Sequence, residues 1–399
     1  MKKNLFFISF IFFLISCSSK QPQADLSFDG NYFVINLDEK KDASIPLSFL
    51  FKRAQTIILE TSDNCLVGHI DDLQVFEENM YILDSRKAKS LFVFNSEGKF
   101  IRKIGSYGNG PGEYNSLKDF SFDSENKIIF ILDHSNRIHK YKSDGSFIET
   151  IVIELPRSNI DFIQIYNGNL YAYCNRWESS NEDYMLLEVE PRNGKIISKS
   201  LPIKYNKGWN KSFTFANSRF FMSRGNNPPR FCLMFMDYIV SVGEVVTPFV
   251  ELKSKYLTTE NDIESFRGEG FNPINPLTIS NSNKLFNVHC FIENDDFLCF
   301  RLGISYSPLV VICDKMTGSV KLVNKLSNDL IFNNDQSGMY GRFIFADKKG
   351  AYDILHSVSI ESFKESIRNK ETVPDLDKAD QLLKLEDDAN PVIFYYEFK

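Results

Sequence analysis

Apolar and polar positions alternate with a period of two along most of the chain. In "SLFVFNSEGKFIRKIG" (Ser90–Gly105), Phe92 and Phe94 point one way while Leu91, Val93 and Asn95 point the other. Ile138, Lys140 and Lys142 alternate in the same way with His139 and Tyr141. This period predicts β-strands. The strands also repeat as a set. "MYILDSRKAKSLFVFNSEGKFIRKIG" (Met80–Gly105) and "IFILDHSNRIHKYKSDGSFIETI" (Ile129–Ile151) both read aromatic-Ile-Leu-Asp, a polar turn, an alternating strand, a hairpin turn and Phe-Ile. The spacing is about 48 residues, the length of a β-propeller blade.

Weaker copies follow. One runs from Ile160 with Arg192-Asn193-Gly194 as its hairpin turn, one spans "SFTFAN" to "VTPFVEL", and one runs from "LFNVHCFIE" to "GSVKLV". A sixth begins near Met339 and lacks its outer strands in chain order. In their place Ser359–Asp388 has helical spacing, with Ile360, Phe363 and Ile367 in one stretch, Leu376, Ala379 and Leu383 in another, and Pro374 between them. Two strands are left over, "AQTIILETS" (54–62) and "NPVIFYYEF" (390–398). The expectation is an all-β, six-bladed propeller in which the C-terminal strand lies third and the N-terminal strand outermost in one shared blade, removing the ring's free edge.

The N-terminus changes the picture. Lys2 and Lys3 precede an apolar run, Leu5–Ile15, that suits a signal peptide and is too short to span a bilayer. Leu14-Ile15-Ser16-Cys17 resembles a bacterial lipobox, which places a lipid on Cys17; an ordinary secretory signal with an incidental Cys is the alternative. The expected organisation is a signal peptide over 1–16, a tether and lead-in over 17–44, and the propeller over 45–399. The mildly acidic balance, −6 overall, gives no basic face for nucleic acid. The six remaining cysteines show no CxxC and no tight spacing, so they read as small buried hydrophobes rather than a zinc site, with a single bridge left open.

Four stretches, "IILETSDNCLVGHIDDLQVF", "YILDSRKAKSLFVFNSEGKFIRKIG", "GNGPGEYNSLKDFSFD" and "DANPVIFYYEFK", resemble the six-bladed β-propeller lipoproteins of Bacteroides-type bacteria, related to NHL-repeat and TolB-like propellers. The resemblance implies export, lipidation and a six-bladed ring, and no established reaction. Some relatives reach the cell surface through an acidic tract after the lipidated Cys. Ser18–Asp25 holds only one acid, so an outer-membrane lipoprotein facing the periplasm is expected.

Candidate chemistry is sparse. "IGSYGNGPGEYNSLKDFSFD" (Ile104–Asp123) is rich in glycine but has Pro111-Gly112 where a phosphate loop needs Lys and Ser or Thr, and Glu113 adds a repelling charge. It reads as a connection between blades. Asp84 and Asp133 recur with the repeat, as turn-holding acids or as members of a cation ring. The five histidines, His69, His134, His139, His289 and His356, show no metal-binding spacing. No catalytic residue, metal or cofactor is assigned. A binding face has more support: Arg176, Trp177, Trp209, Arg224 and Arg230 sit in polar, loop-like contexts where aromatic faces and guanidinium forks suit sugars, peptides and carboxylates. Either Trp could instead fill a gap between blades. The expected function is a membrane-anchored binding or scaffolding module for a glycan fragment, a peptide or a partner envelope protein. The alternative is a metal-dependent propeller lyase or hydrolase.

Overall fold

A sheet covered on both sides must be apolar on both sides, and the alternating strands meet that condition. In the computed structural model Phe92 and Phe94 pack with Ile57, Tyr352 and Ile393 on one side of their sheet. Leu91 and Val93 pack with Phe120, Ile129 and Ile131 on the other. Each such side chain, fully removed from water, contributes about 1.5–3 kcal/mol. The structure describes residues 23–39, 41–155, 158–176, 184–209, 228–267, 282–303, 309–333 and 342–399. Residues 1–16 and Cys17 lie outside them.

The sheets follow one another as six blades of a propeller. Blade 1 comprises Asp72–Phe76, Asn79–Asp84, Ser90–Phe94 and Phe100–Ile104, all antiparallel. Blade 2 comprises Asp119–Asp123, Ile128–Leu132, Arg137–Lys142 and Phe147–Val152. Blade 3 runs from Ser158–Tyr166 to Ile196–Pro202. The described part of blade 4 comprises Arg230–Phe231, Tyr238–Ser241 and Thr247–Lys253, and blade 5 runs from Val288–Glu293 to Val320–Val323. Inner strands are tied sideways as well. Asp119 Oδ2 and Ser121 Oγ in blade 2 accept the backbone N–H groups of Ile163 (2.8 Å) and Ile165 (2.9 Å) in blade 3, satisfying an edge that would otherwise be bare.

Blade 6 is the clasp. Its order is Phe345–Ala346, Gly350–Leu355, Val392–Phe398 and Phe51–Ile58, so the C-terminal strand is third and the N-terminal strand outermost. Buried Asn390 laces the closure: its Nδ2 donates to the carbonyls of Glu60 and Cys65 (2.7 and 2.8 Å), and its Oδ1 accepts from Val67 N–H (2.7 Å). Between the second and third strands of this blade lie an α-helix, Ile360–Arg368, and a single turn, Ala379–Leu382. The helical spacing in the sequence is thus met by one full helix and one short turn. Ser359 precedes the helix without a side-chain cap.

The lead-in is more than a tether from Gln23 onward. Gln23–Ala24 runs parallel to the outer strand of blade 3, Phe33–Asn36 to that of blade 4, and Lys41–Asp42 to that of blade 5. Ile45–Pro46 then pairs with Leu326–Ser327 before the chain enters blade 6. The N-terminal segment is a belt around half of the rim. Asp25 fastens it to Lys204 (2.5 Å) and Tyr205 (2.8 Å), and Asp38 to Ser254 (2.6 Å).

Candidate functional site

Antiparallel blades fix which connections share a face. Turns joining first to second and third to fourth strands lie on one side, here the turn face. Those joining second to third strands, and one blade to the next, lie on the other, the loop face. The described turn-face connections have two to six residues, such as Glu77–Glu78 and 190–195. Loop-face connections include 59–71, 105–118, the described 254–267 and 282–287, and 356–391. A rigid ring therefore carries nearly all of its irregular chain on one side, the usual setting for binding residues.

Four of the five histidines are positioned at this face. His69 precedes the inner strand of blade 1, His134 follows the second strand of blade 2, His289 opens the inner strand of blade 5, and His356 follows the second strand of blade 6. The rings of His69 and His356 stack, 6.0 Å apart and 8° from parallel. His69 Nε2 lies 3.5 Å from Asp71, whose other oxygen is held by Ser85 N–H and Oγ, while exposed Arg86 pairs with Asp71 at 2.8 Å. Burial, then the neighbouring His69 and Arg342, lower the His356 imidazole. Burial dominates at His289 too. An Asn287 carbonyl lifts it slightly, the Arg301 and Arg342 guanidiniums push it down, and it settles at about 4. Arg342 thus acts on two imidazoles at once. Its side chain is exposed and makes no ion pair among the described residues, while its N–H donates to Asp353 Oδ2 (3.3 Å).

The inner strand of blade 5 is strained beside this cluster. Cys290 has φ 53°, at a bulge between His289 and Ile292. Left-handed backbone is uncommon for a residue with a Cβ, and bulges gather next to working sites. Burial pushes the Cys290 thiol up to about 11 and the Cys299 thiol up to about 12. The cysteines from Cys65 onward are unbridged. Two neutral imidazoles, each able to donate and accept, beside a planar guanidinium fork can grip hydroxyls, amides or a carboxylate. Among the described residues no three His, Cys, Asp or Glu side chains converge as a metal site.

The recurring acids hold turns. Asp84 accepts the N–H groups of Gly68, His69, Arg86 and Lys87. Asp133 is fully buried; burial raises its carboxyl, but bonds from His139, Arg137 and Ser135 outweigh that and bring it down to about 2. His139 is buried inside blade 2, with Nε2 3.4 Å from Asp133 Oδ2. The Gly-rich connection satisfies itself. Gly110 N–H donates to Glu113 Oε2 (2.8 Å), and a Cβ on Gly105, at φ +65°, would sit 2.6 Å from the Tyr141 hydroxyl.

Of the residues expected to bind ligand, Trp209 and Arg230 are buried. Trp177 and Arg224 lie outside the described residues, and Arg176 ends the second strand of blade 3. Trp209 is 7% exposed and packs edge-on against Tyr173 between blades 3 and 4, which is the gap-filling role. Arg230 is buried near the turn face. It grips Glu293 of blade 5 through two bonds (2.9 and 3.0 Å), lies over the Phe249 ring, and shares Glu293 with Lys315 (2.9 Å). Its charge is spent on joining blades. A polar loop context in the sequence hid a partner 63 residues away. The His69–His289–His356–Arg342 grouping was missed because each residue is a singleton in its own segment; the available signal was position, since each stands at a strand end belonging to one face.

A hollow of about 610 Å³ opens at the outer loop-face margin, between belt residues Leu37–Glu39 and Tyr256, Lys284 and Phe286.

Residues 32–397 match the model of a family described as a domain of unknown function, DUF4934. No curated protein matches the chain. Among solved structures, one titled "Putative exported protein" from Bacteroides fragilis is similar over 92% of this chain and 99% of its own, with a TM-score of 0.72 and 20% identity. U3-55K superposes more loosely, with a TM-score of 0.42 and 10% identity over 86% of this chain and 98% of its own. So does BamB from Moraxella catarrhalis, with a TM-score of 0.37 and 10% identity over 69% of this chain and 65% of its own.

Proposed function

The chain belongs to the DUF4934 family, and from that premise we propose that it is a lipid-anchored propeller of the cell envelope whose loop face binds a glycan fragment, a peptide or a partner envelope protein. The observation that carries this reading is the concentration of long connections on one face around the His69–His356 pair and Arg342. The acids nearest the pair, Asp71, Asp84 and Asp353, are buried and engaged. Exposed cations stand beside them, Arg86, Arg342 and Lys87, which lies over Gly68, and the exposed acids Asp387 and Asp388 lead into Ala389, whose carbonyl accepts the Ser357 hydroxyl. The Arg86 and Arg342 guanidiniums suit a carboxylate or another anionic group on the ligand. The lipid is placed on Cys17, and the protein is assigned to the outer membrane facing the periplasm. The exported relative from Bacteroides fragilis supports an envelope location.

The test is cross-linking of the native lipoprotein in envelope preparations, with the cross-linked peptides mapped by mass spectrometry. The reading expects them in 59–71, 85–89 and 342–359. Cross-links confined to the turn-face hairpins would overturn it. Cys17→Ala should move the protein out of the membrane fraction; retention there would remove the anchor. The metal-dependent lyase or hydrolase stands as the alternative because four histidines share the loop face. Stoichiometric zinc or calcium in the purified protein would move the assignment to it.

A further inference from the structure

The turn face carries a feature unrelated to the loop-face site. At the lower edge of blade 6 a hollow of about 380 Å³ is lined by Lys52, Arg53, Lys348, Lys349, Lys399 and Glu397. These side chains come from three separate segments that only the clasp brings together. Their backbones are held firmly. Asp347 Oδ1 accepts Lys349 N–H (2.7 Å) and Gly350 N–H (2.9 Å), Phe398 N–H donates to Lys349 O (2.9 Å), and Lys399 N–H donates to Leu50 O (3.3 Å).

The charge there opposes that of the whole chain, which is −6. Glu397 is shared between Lys52 (3.3 Å) and Arg53 (2.8 Å), and Asp347 is held by its own turn and by the Tyr352 hydroxyl. Lys348, Lys349 and Lys399 make no ion pair among the described residues, and Lys348 and Lys349 are exposed. Even with a terminal carboxylate on Lys399 counted, cations exceed anions. A fixed cationic hollow on an acidic protein has no internal use for its charge; it suits a surface of opposite sign.

We propose that this hollow seats the phosphate groups of an anionic membrane surface, so that the turn face lies toward the bilayer and the loop face away from it. The belt points the same way. Gln23–Ala24 runs parallel to the outer strand of blade 3, and so away from the turn-face hairpin 190–195. The described belt thus begins on blade 3 and heads toward the loop face. The hollow lies on blade 6, across a six-bladed ring from the belt's described start on blade 3. The inference does not depend on which ligand the loop face takes.

Amine-acetylation footprinting of the lipidated full-length protein tests it, in vesicles of a zwitterionic lipid with and without about one quarter phosphatidylglycerol. Lys52, Lys348, Lys349 and Lys399 should label at least about fivefold more slowly on the anionic vesicles, each cation near such a surface being held by roughly that factor. Lys87 and Lys89 on the loop face should be unchanged. Salt near 1 M, where the Debye length falls to about 3 Å, should abolish the difference. In K348E/K349E, Lys52 and Lys399 should lose their protection while the melting temperature holds. Equal labelling on both vesicles overturns the proposal, and so does protection of Lys87 and Lys89 instead. Protection by inorganic phosphate in zwitterionic vesicles would assign the hollow to a soluble anion and overturn the membrane as its source.

Discussion

The two faces of this ring are built on different terms. On the turn face the connections are a few residues long, their acids and glycines close hairpins, and buried ions such as Arg230, Glu293 and Lys315 join one blade to the next. On the loop face the connections are long, the backbone is strained at Cys290, and exposed Arg342, which makes no ion pair among the described residues, acts on His356 and His289. The comparison teaches where stability and recognition are separated: buried charge near the turn face joins one blade to the next, whereas Arg342 on the loop face is exposed.

The sharpest break is loss of the clasp that both faces depend on. Val392, Ile393, Phe394 and Tyr396 are fully buried in the C-terminal strand. At about 2 kcal/mol each they rival the net stability of a domain, about 5–15 kcal/mol. Deleting 390–399 should abolish cooperative unfolding in a calorimetric scan; a preserved transition would show that the ring closes without it. Next is Glu293→Ala, which strands Arg230 and Lys315 beside each other. Removing one partner of a buried ion group costs about 3–5 kcal/mol, measurable as a lower urea midpoint, and binding at the loop face should survive in whatever fraction stays folded.

The loop face has its own stability signature, which is pH-dependent. His289 titrates at about 4 in the folded protein against 6.5 for a free imidazole. The folded state then holds fewer protons than the unfolded chain between those values, so stability falls as pH drops from about 6.5 to 4, by about 3 kcal/mol at most. His289→Asn should flatten that part of the stability profile; an unchanged slope would place the titration elsewhere. A smaller effect is due on the turn-face side at Gly98, with φ +87° and no room, since a Cβ would lie 2.2 Å from the Ile58 carbonyl oxygen. Gly98→Ala should cost about 1–3 kcal/mol in chemical denaturation and leave ligand capture alone.

The same division explains what could be read in the sequence. Blades 1 and 2 were legible because their strands alternate over five or six residues and their turns carry matched glycines, Gly98 and Gly145. The clasp was legible because two strong strands were left without neighbours. The belt was not: its strands are two to four residues long, mostly exposed, and paired to rims far along the chain. Arg230 and Trp209 misled because polar flanking residues look like loops until the adjacent blade is in place. The histidine and arginine cluster draws on connections before blades 1 and 6, the second strand of blade 6 and the inner strand of blade 5, so no local spacing could reveal it.

The claim that recognition belongs to the loop face is tested most directly by capturing the native ligand with three forms of the protein: unaltered, R342E and K348E/K349E. Melting temperatures should agree, since all three positions are exposed. R342E should lose at least about tenfold in captured ligand, the scale on which reversing one recognition charge acts, while K348E/K349E retains it in detergent solution. Capture that survives R342E but is lost in K348E/K349E would contradict the account and move the binding site to the other face of the ring.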